Sequence, residues 1–211
     1  MFPGEHNLDV EEGTEQMIPV SMAIAHERYV PATGDSDIAL LRLNRSVTLN
    51  RFTIPVCLPT KDFAERELLP LRYHTVSGWG RRTSGGNINA QTSGLVSPVL
   101  RQMSVPIIQN SQCSQKTRFN FTNSMLCAGY LEGAQEGCRG DDGSPLVTQF
   151  GSTHFLMGVV GWGRGCSHPG YYGVYANMAN FVDWVDSTKK NPPTTMTSMF
   201  TEQLEQKPVK V

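Results

Sequence analysis

The chain has 211 residues, 39% of them hydrophobic, and a formal net charge of -1 at pH 7. This length fits one large or two small globular domains. The near-neutral charge gives no reason to expect binding to nucleic acid or to an anionic membrane. No apolar run approaches the length needed to cross a bilayer. The first residues, Met1 to His6, lack the basic start and apolar stretch of a signal peptide.

The middle of the chain has the pattern of β structure. Twenty glycines and thirteen prolines interrupt short apolar runs. Such runs, bounded by turn-forming residues, predict strands. The predicted strands include Ile38–Leu43, Met103–Ile108 and Phe155–Val160.

A helix is predicted only near the end of the chain. Four apolar residues follow the i, i+3, i+4, i+7 spacing of one helical face, namely Met178, Phe181, Val182 and Val185. They predict an amphipathic helix over residues 177–189. The polar segment 191–211, which starts with a Pro-Pro pair, predicts a disordered tail.

One short motif points to a chemistry. Gly140–Pro145 reads Gly-Asp-Asp-Gly-Ser-Pro and follows closely after Cys138. With Trp162, Gly163 and Cys166, it resembles the trypsin-like serine proteases, whose nucleophile loop is Gly-Asp-Ser-Gly-Gly-Pro. The resemblance places the nucleophilic serine on Asp142. A carboxylate has no hydroxyl to deprotonate and cannot form the acyl-enzyme, so this resemblance implies a protease scaffold without protease chemistry.

The other triad positions give a mixed result. Asp37, at the start of Asp-Ile-Ala-Leu-Leu-Arg-Leu, resembles the segment that carries the triad aspartate. In the family this residue orients a histidine that lies in an Ala-Ala-His-Cys segment. This sequence has no such segment before Asp37. His6 and His26 are the only histidines that precede it, and we expect both to be surface histidines, with His26 in a turn.

Around the nucleophile position, the resemblance implies further roles. The backbone N–H groups of Gly140 and Asp142 resemble an oxyanion hole, but the Asp142 carboxylate disfavours a second negative charge there. Asp141 matches a carboxylate that pairs with a new N-terminal ammonium in the active proteases. Without that partner we expect a buried, unpaired carboxylate and a loose loop. The substrate pocket is assigned to Glu136, Trp162, Gly163 and Gly173.

The five cysteines form no Cys-x-x-Cys pattern, and an odd count leaves one thiol for another partner in an oxidising compartment. The resemblance implies two disulfides, Cys113–Cys127 and Cys138–Cys166. It also implies that Cys57 is unpaired within this chain or joined to an EGF-like light chain. The alternative is five buried free thiols in a cytosolic protein.

An acidic segment near the start of the chain resembles the calcium loop of the same proteases. The resemblance assigns side-chain ligands to Glu5 and Glu15, and backbone carbonyl ligands to Asn7 and Val10. Glu12 would bind directly or through water. Oxygen ligands of this kind suit Ca²⁺. The alternative is an acidic loop that is simply solvated.

Several segments narrow the resemblance to the vitamin-K-dependent coagulation proteases, of which factor VII is one. They are Arg28–Pro31, Pro55–Pro59, Asp62–Arg66 and Phe121–Tyr130. Asn44 and Asn120 each begin an Asn-x-Ser/Thr glycosylation sequence, which matters in a secreted protein. The branch implies secretion, and partners among the proteins of the coagulation system.

The predicted fold is all-β, a trypsin-like double six-stranded β-barrel with an incomplete N-terminal barrel and a C-terminal α-helix. The domain is predicted over residues 1–190 and the tail over 191–211. The predicted function is that of a catalytically inactive homologue that acts by binding, as a decoy in coagulation. Two alternatives stay open. One is an active endopeptidase that cleaves after Arg, represented by a truncated or imperfect sequence, and the other is a fragment with no function of its own.

Overall fold

The computed structural model describes residues 1–80, 97–130, 141–163 and 172–193, with the backbone alone described at 162 and 163. These residues form two antiparallel sheets, one of two strands and one of seven. The helices among them are short. The prediction of an all-β fold with a C-terminal helix is confirmed.

The two-stranded sheet consists of β1 (Val20–Ala25) and β2 (Ala39–Leu43). The strands pair antiparallel, with Ala23 opposite Leu41. The predicted strand Ile38–Leu43 corresponds to β2, one residue shorter at its start. Along β2, the exposed Ala39 and Leu41 flank the half-buried Leu40. The sheet therefore buries one side only in part.

The strands of the seven-stranded sheet are β3 (His74–Gly78), β4 (Arg101–Val105), β5 (Ile107–Ile108), β6 (Met125–Ala128), β7 (Pro145–Phe150), β8 (Thr153–Gly163) and β9 (Gly173–Asn177). Their order across the sheet is β4-β3-β7-β8-β9-β6-β5. Only Pro106 separates β4 from β5, and proline has no N–H to continue a ladder. The two outermost strands are thus consecutive pieces of one bent segment, and the sheet nearly closes into a barrel. Counting these two pieces as one strand gives the predicted six.

The described part of the chain contains three α-helical segments beside the sheets. The first, α1 (Lys61–Phe63), is capped by the Thr60 side chain and continues as a π-helical turn over Ala64–Leu68. This turn buries Ala64 and Leu68 against the seven-stranded sheet. The second, α2 (Asn110–Thr117), ends at Arg118, which has a left-handed backbone conformation.

The C-terminal helix is α3 (Val182–Lys190), preceded by a 3₁₀ turn over Met178–Asn180. The helix predicted over 177–189 is thus divided at Phe181, whose φ of -113° lies outside the helical range. The predicted apolar face is confirmed, since Met178, Phe181 and Val185 are buried. The i, i+3, i+4, i+7 spacing predicted the buried face correctly because both 3₁₀ turns and α turns place residues three or four positions apart on the same side.

The main core lies inside the seven-stranded sheet. Its buried members include Val76, Leu126, Leu146 and Met157. A second cluster joins the two sheets through α3. Its members are Ala176, Met178, Phe181 and Val185, with the half-buried Ile38, Leu40, Leu156, Val159, Val182 and Trp184 packed around them.

Candidate functional site

The structure brings the predicted triad aspartate and the predicted nucleophile position near each other. Asp37 immediately precedes the β2 region, and Asp142 lies in the turn before β7. Burial, followed by the negative charge of Asp142, raises the pKa of Asp37. A side chain at Gly161 would place its Cβ 3.4 Å from Asp37 Oδ2, so the β8 backbone passes directly beside this carboxylate. The site therefore holds two neighbouring carboxylates of like charge.

Tyr29 is a third member of this site that the sequence interpretation did not assign. Burial and then the charge of Asp37 raise the pKa of its phenol. A raised pKa keeps the phenol neutral at physiological pH. No spacing rule connects Tyr29 with Asp37, and only the fold of the turn before β2 brings them together.

Asp141 corrects an expectation made from the sequence. Its Oδ1 atom accepts a hydrogen bond from the backbone N–H of Gly80 at 2.7 Å. The carboxylate is therefore not unpaired, and the prediction of an unpaired buried carboxylate is wrong. Gly78 makes room for it, because a Cβ at this position would lie 1.9 Å from Asp141 Oδ1.

The turn around Asp142 is hydrogen-bonded to the barrel, and the expectation of a loose loop stays a prediction. Ser144 N donates to the carbonyl of Asp141 at 2.9 Å, and Gly143 N donates to the carbonyl of Val160 at 2.8 Å. Val160 N in turn donates to the carbonyl of Ser144 at 2.8 Å. These bonds fix the turn although Asp142 itself is exposed.

The predicted substrate pocket is described only in part. Gly163 of β8 and Gly173 of β9 face each other in the strand pairing, and Trp162 pairs with Val174. The strand pairing thus brings together two residues assigned to the pocket, and their role in keeping it open stays a prediction. Other predicted residues lie outside the described part of the chain, namely Glu136, Cys138, Gly140 and Cys166.

A polar cluster, which we call the Asp35 clasp, fixes the loop that carries Asp37. Asp35 Oδ1 accepts hydrogen bonds from Ser124 Oγ and from Thr122 Oγ1, the latter at 2.5 Å. Ser36 N donates to Ser124 Oγ at 3.3 Å. The hydroxyls of Ser124 and Thr122 lower the pKa of Asp35. The clasp was missed from the sequence because its two sides are more than 80 residues apart.

The acidic loop at the start of the chain gathers three of the predicted calcium ligands. Carboxylate oxygens of Glu5, Glu12 and Glu15 all lie within 4.8 Å of one another. Glu15 Oε1 accepts from the backbone N–H of Glu12 at 2.7 Å. Its Oε2 is shielded from solvent and has no hydrogen-bond partner among the described residues. A shielded, unpartnered carboxylate oxygen facing two other carboxylates fits a hard cation.

The hydrogen bonds of this loop favour its charged form. The backbone N–H of Glu12, followed by that of Glu15 itself, lowers the pKa of Glu15. Asn7, a predicted carbonyl ligand, accepts the backbone N–H of Val10 at 3.0 Å, which leaves its second lone pair free. Val10, the other predicted carbonyl ligand, lies exposed in the same loop.

The nucleophile-position turn, the triad aspartate and the two pocket glycines are thus arranged around one edge of a nearly closed barrel. A sequence model of the Trypsin family matches residues 1–185. The chain belongs to the trypsin family. The match shows the family and not a branch within it.

One family disulfide is present in this trypsin-family chain. Cys113 of α2 and Cys127 of β6 are bonded, and both side chains are fully buried. This pairing was predicted and is confirmed. Cys57 is a free, exposed thiol. The second predicted bridge, Cys138–Cys166, lies outside the described residues.

The two histidines that precede Asp37 in the trypsin-family domain differ in their exposure. His6 is exposed, as expected. His26 is only 3% exposed, so its prediction as a surface histidine is wrong. Its ring lies 5.2 Å from the Phe181 ring and 4.9 Å from the Trp184 ring, measured between centroids. The aromatic side chains that cover His26 are Phe181, which directly precedes α3, and Trp184 of α3, and both lie far away in sequence.

Both predicted glycosylation residues are accessible. Asn44 follows β2 and Asn120 follows α2, and both side chains are exposed. Among the described residues, no helix has the length and apolar character needed to cross a membrane.

Proposed function

We propose that this trypsin-family chain is a catalytically inactive homologue of the serine proteases that acts by binding. The observation that supports it most directly is the exposed Asp142 at the nucleophile position, with Asp37 as its charged neighbour. Serine proteases need a hydroxyl that a base can deprotonate. A carboxylate at that position supplies no such hydroxyl.

The electrostatics of the site also oppose acyl transfer. The tetrahedral intermediate carries a negative charge that donor groups must stabilise. Here Asp142 places its own negative charge beside this position, and Asp37 adds a second one. Burial and then the neighbouring charge of Asp142 raise the pKa of Asp37. A triad aspartate with a raised pKa is also a poorer stabiliser of an imidazolium ion.

The catalytic half of the proposal is tested with purified protein and an Arg-containing amide substrate. We expect no turnover above a mock-purified blank. Asp142→Ser is the informative variant, and we expect it to stay inactive, because the 211-residue sequence has no Ala-Ala-His-Cys segment to supply the base. Turnover by the unaltered chain that a serine-directed phosphonate abolishes would overturn the proposal and favour an active endopeptidase.

We further propose that the protein is secreted and modulates coagulation as a decoy. The support is the sequence resemblance to the vitamin-K-dependent proteases together with the exposed Asn44 and Asn120 and the exposed Cys57. In that branch the cysteine at the position of Cys57 joins an EGF-like module. A protein that keeps the binding surfaces of a protease can occupy its partners without cleaving them.

A clotting assay with added protein tests the decoy. The natural product that carries this domain should lengthen the clotting time. The isolated chain should act weakly, since its Cys57 thiol is free of the module that the resemblance implies. Shortened clotting would contradict a decoy. Strong inhibition by the isolated chain would place the binding surface within these 211 residues.

We propose in addition that the acidic loop binds Ca²⁺. The support is the convergence of the Glu5, Glu12 and Glu15 carboxylates and the shielded Glu15 Oε2. A divalent cation would relieve the repulsion among these charges, and the carbonyls of Asn7 and Val10 would complete an all-oxygen ligand set.

A further inference from the structure

The C-terminal helix α3 contacts the first part of the chain at a buried histidine. The His26 ring lies between the side chains of Phe181 and Trp184, at an interplanar angle of 74° to the former and 47° to the latter. Its Nδ1 atom accepts the backbone N–H of Arg28 at 3.1 Å. An Nδ1 that accepts a hydrogen bond carries no proton, so this geometry requires the neutral ring.

The same turn makes a second contact with α3. Trp184 Nε1 donates to Glu27 Oε2 at 3.0 Å. Beneath these contacts, Phe181 and Val185 pack in the cluster that includes Ile38. The 26–28 turn thus holds the helix through one aromatic contact, one hydrogen bond and a shared apolar cluster.

We propose that His26 is a pH-sensitive latch that holds α3 against the 26–28 turn when neutral and releases the helix when protonated. Protonation would put a hydrogen on Nδ1, facing the N–H of Arg28, so two donors would point at each other. It would also place a positive charge on a side chain that is 3% exposed. Releasing α3 would return the ring to water and remove both costs.

The charged groups around the ring do not cancel this effect. Burial lowers the pKa of His26, and the charge of Arg28 lowers it further. The charges of Glu27 and Asp35 act in the opposite direction but do not prevail. The ring contacts Phe181, which directly precedes α3, and Trp184 of α3, and both are uncharged. On the β2 side, the backbone N–H of His26 donates to the Ile38 carbonyl at 3.0 Å.

The direction of the pH effect follows from linkage. With α3 docked, the pKa of His26 lies below its ordinary value, and with α3 released it returns to about 6.5. The released form therefore binds the proton more tightly. As the pH falls below about 6.5, the docking equilibrium constant falls by up to about tenfold per pH unit, until the pH reaches the docked pKa. At neutral pH the helix stays docked.

Hydrogen exchange measured by mass spectrometry tests the latch. Protection is compared between α3 (Val182–Lys190) and β7 (Pro145–Phe150) from pH 7.5 to pH 5.0, after correction for the intrinsic exchange rate. We expect protection of α3 to fall about three- to tenfold over this range while β7 stays protected. No change in α3, or an equal loss in β7 that indicates global unfolding, would overturn the proposal.

Two variants locate the effect. His26→Gln supplies a side-chain oxygen that can accept a hydrogen bond but does not titrate in this range, so its α3 protection should stay constant down to pH 5.0. His154→Gln alters an exposed histidine and should behave like the unaltered protein. An equal pH response in His26→Gln would contradict the latch. If His26→Gln does not fold, the unaltered protein still tests the latch. The latch requires that α3 lose hydrogen-exchange protection at low pH while β7 keeps its protection.

Discussion

The two sheets of this molecule differ in how they are stabilised. Residues 1–58, which we call the two-stranded region, contribute only Ile18, Ala23 and Ile24 to the buried hydrophobic residues. The rest of the described chain, which we call the barrel region, contributes all the others. Among the described residues, the large exposed hydrophobic side chains show the reverse distribution, since all but Tyr73 and Phe150 belong to the two-stranded region.

This difference shows that the two regions are stabilised by different interactions. A closed barrel buries side chains inside itself, and hydrophobic burial is the dominant favourable term in folding. The two-stranded region has little interior of its own. It depends on attachment to the barrel region through the Asp35 clasp and the apolar cluster around α3.

Matched truncations should separate the two regions most clearly. Met157→Ala removes a side chain that is 1% exposed inside the barrel and should lower the free energy of unfolding by about 2–5 kcal/mol. Leu41→Ala removes a side chain that is 46% exposed on β2 and should change it by about 0.5 kcal/mol or less. Urea unfolding curves measure both. Equal losses would show that β2 is covered in solution and would end the comparison.

The barrel region could be predicted well from the sequence because its signals are local or follow family spacing. The apolar run at Phe155–Val160 forms the centre of β8, and the disulfide Cys113–Cys127 is present. The predicted strand Met103–Ile108 is instead divided at Pro106, which has no N–H to continue the ladder. The closure of the sheet into a barrel was implied only by the family resemblance, because it depends on which distant strands lie next to each other.

The candidate site was less predictable, for physical reasons that particular residues show. Asp37 and Asp142 were identified by motif, but their mutual repulsion required coordinates. Asp141 was expected to lack a partner, yet a backbone N–H satisfies it. A sequence motif identifies side chains, whereas the hydrogen-bond donor to Asp141 is the backbone N–H of Gly80. The burial of His26 depends likewise on α3, more than 150 residues further along the chain.

The disulfide should contribute the next largest effect, and in the barrel region alone. Replacing both Cys113 and Cys127 by Ala opens a covalent loop with a sequence separation of 14. Chain entropy gives a cost of about 3 kcal/mol for such a loop. Cys57→Ser, at the exposed free thiol, is the control and should change stability by less than about 0.5 kcal/mol. Thermal melting without reductant measures both, and a similar cost for the two changes would contradict the assignment.

Breaking the Asp35 clasp should loosen the connection between the two regions. Asp35→Ala leaves the hydroxyls of Thr122 and Ser124 without their acceptor and should cost about 1–3 kcal/mol. Asp186→Ala, an exposed carboxylate on α3, is the control and should cost little. Urea unfolding measures both variants. A double-mutant cycle with Thr122→Val should give a coupling above about 0.5 kcal/mol, and additive effects would mean that the clasp contributes nothing.

The clasp also has a predictable pH dependence. The folded pKa of Asp35 lies below its unfolded value of about 4, because the Ser124 and Thr122 hydroxyls favour the carboxylate. Its contribution to stability is therefore fully present above about pH 4 and is lost as the pH falls through the folded pKa. Asp35→Ala should lack this component of acid destabilisation. If both proteins lose stability in parallel below pH 4, Asp35 is not the group responsible.

Calcium should give the smallest effect and one confined to the two-stranded region. At a calcium concentration ten times the dissociation constant, binding to the folded state adds about 1.4 kcal/mol, or roughly 3–5 °C in melting temperature. Glu15→Gln should lose most of this rise, because it removes a charge from the three-carboxylate group. Glu11→Gln changes an exposed carboxylate outside that group and should keep the rise. Hydrogen exchange should show added protection in residues 4–18 and little in the barrel region. An equal rise in both variants would mean that the loop is an ordinary acidic surface, and that the two-stranded region depends on the clasp and α3 alone.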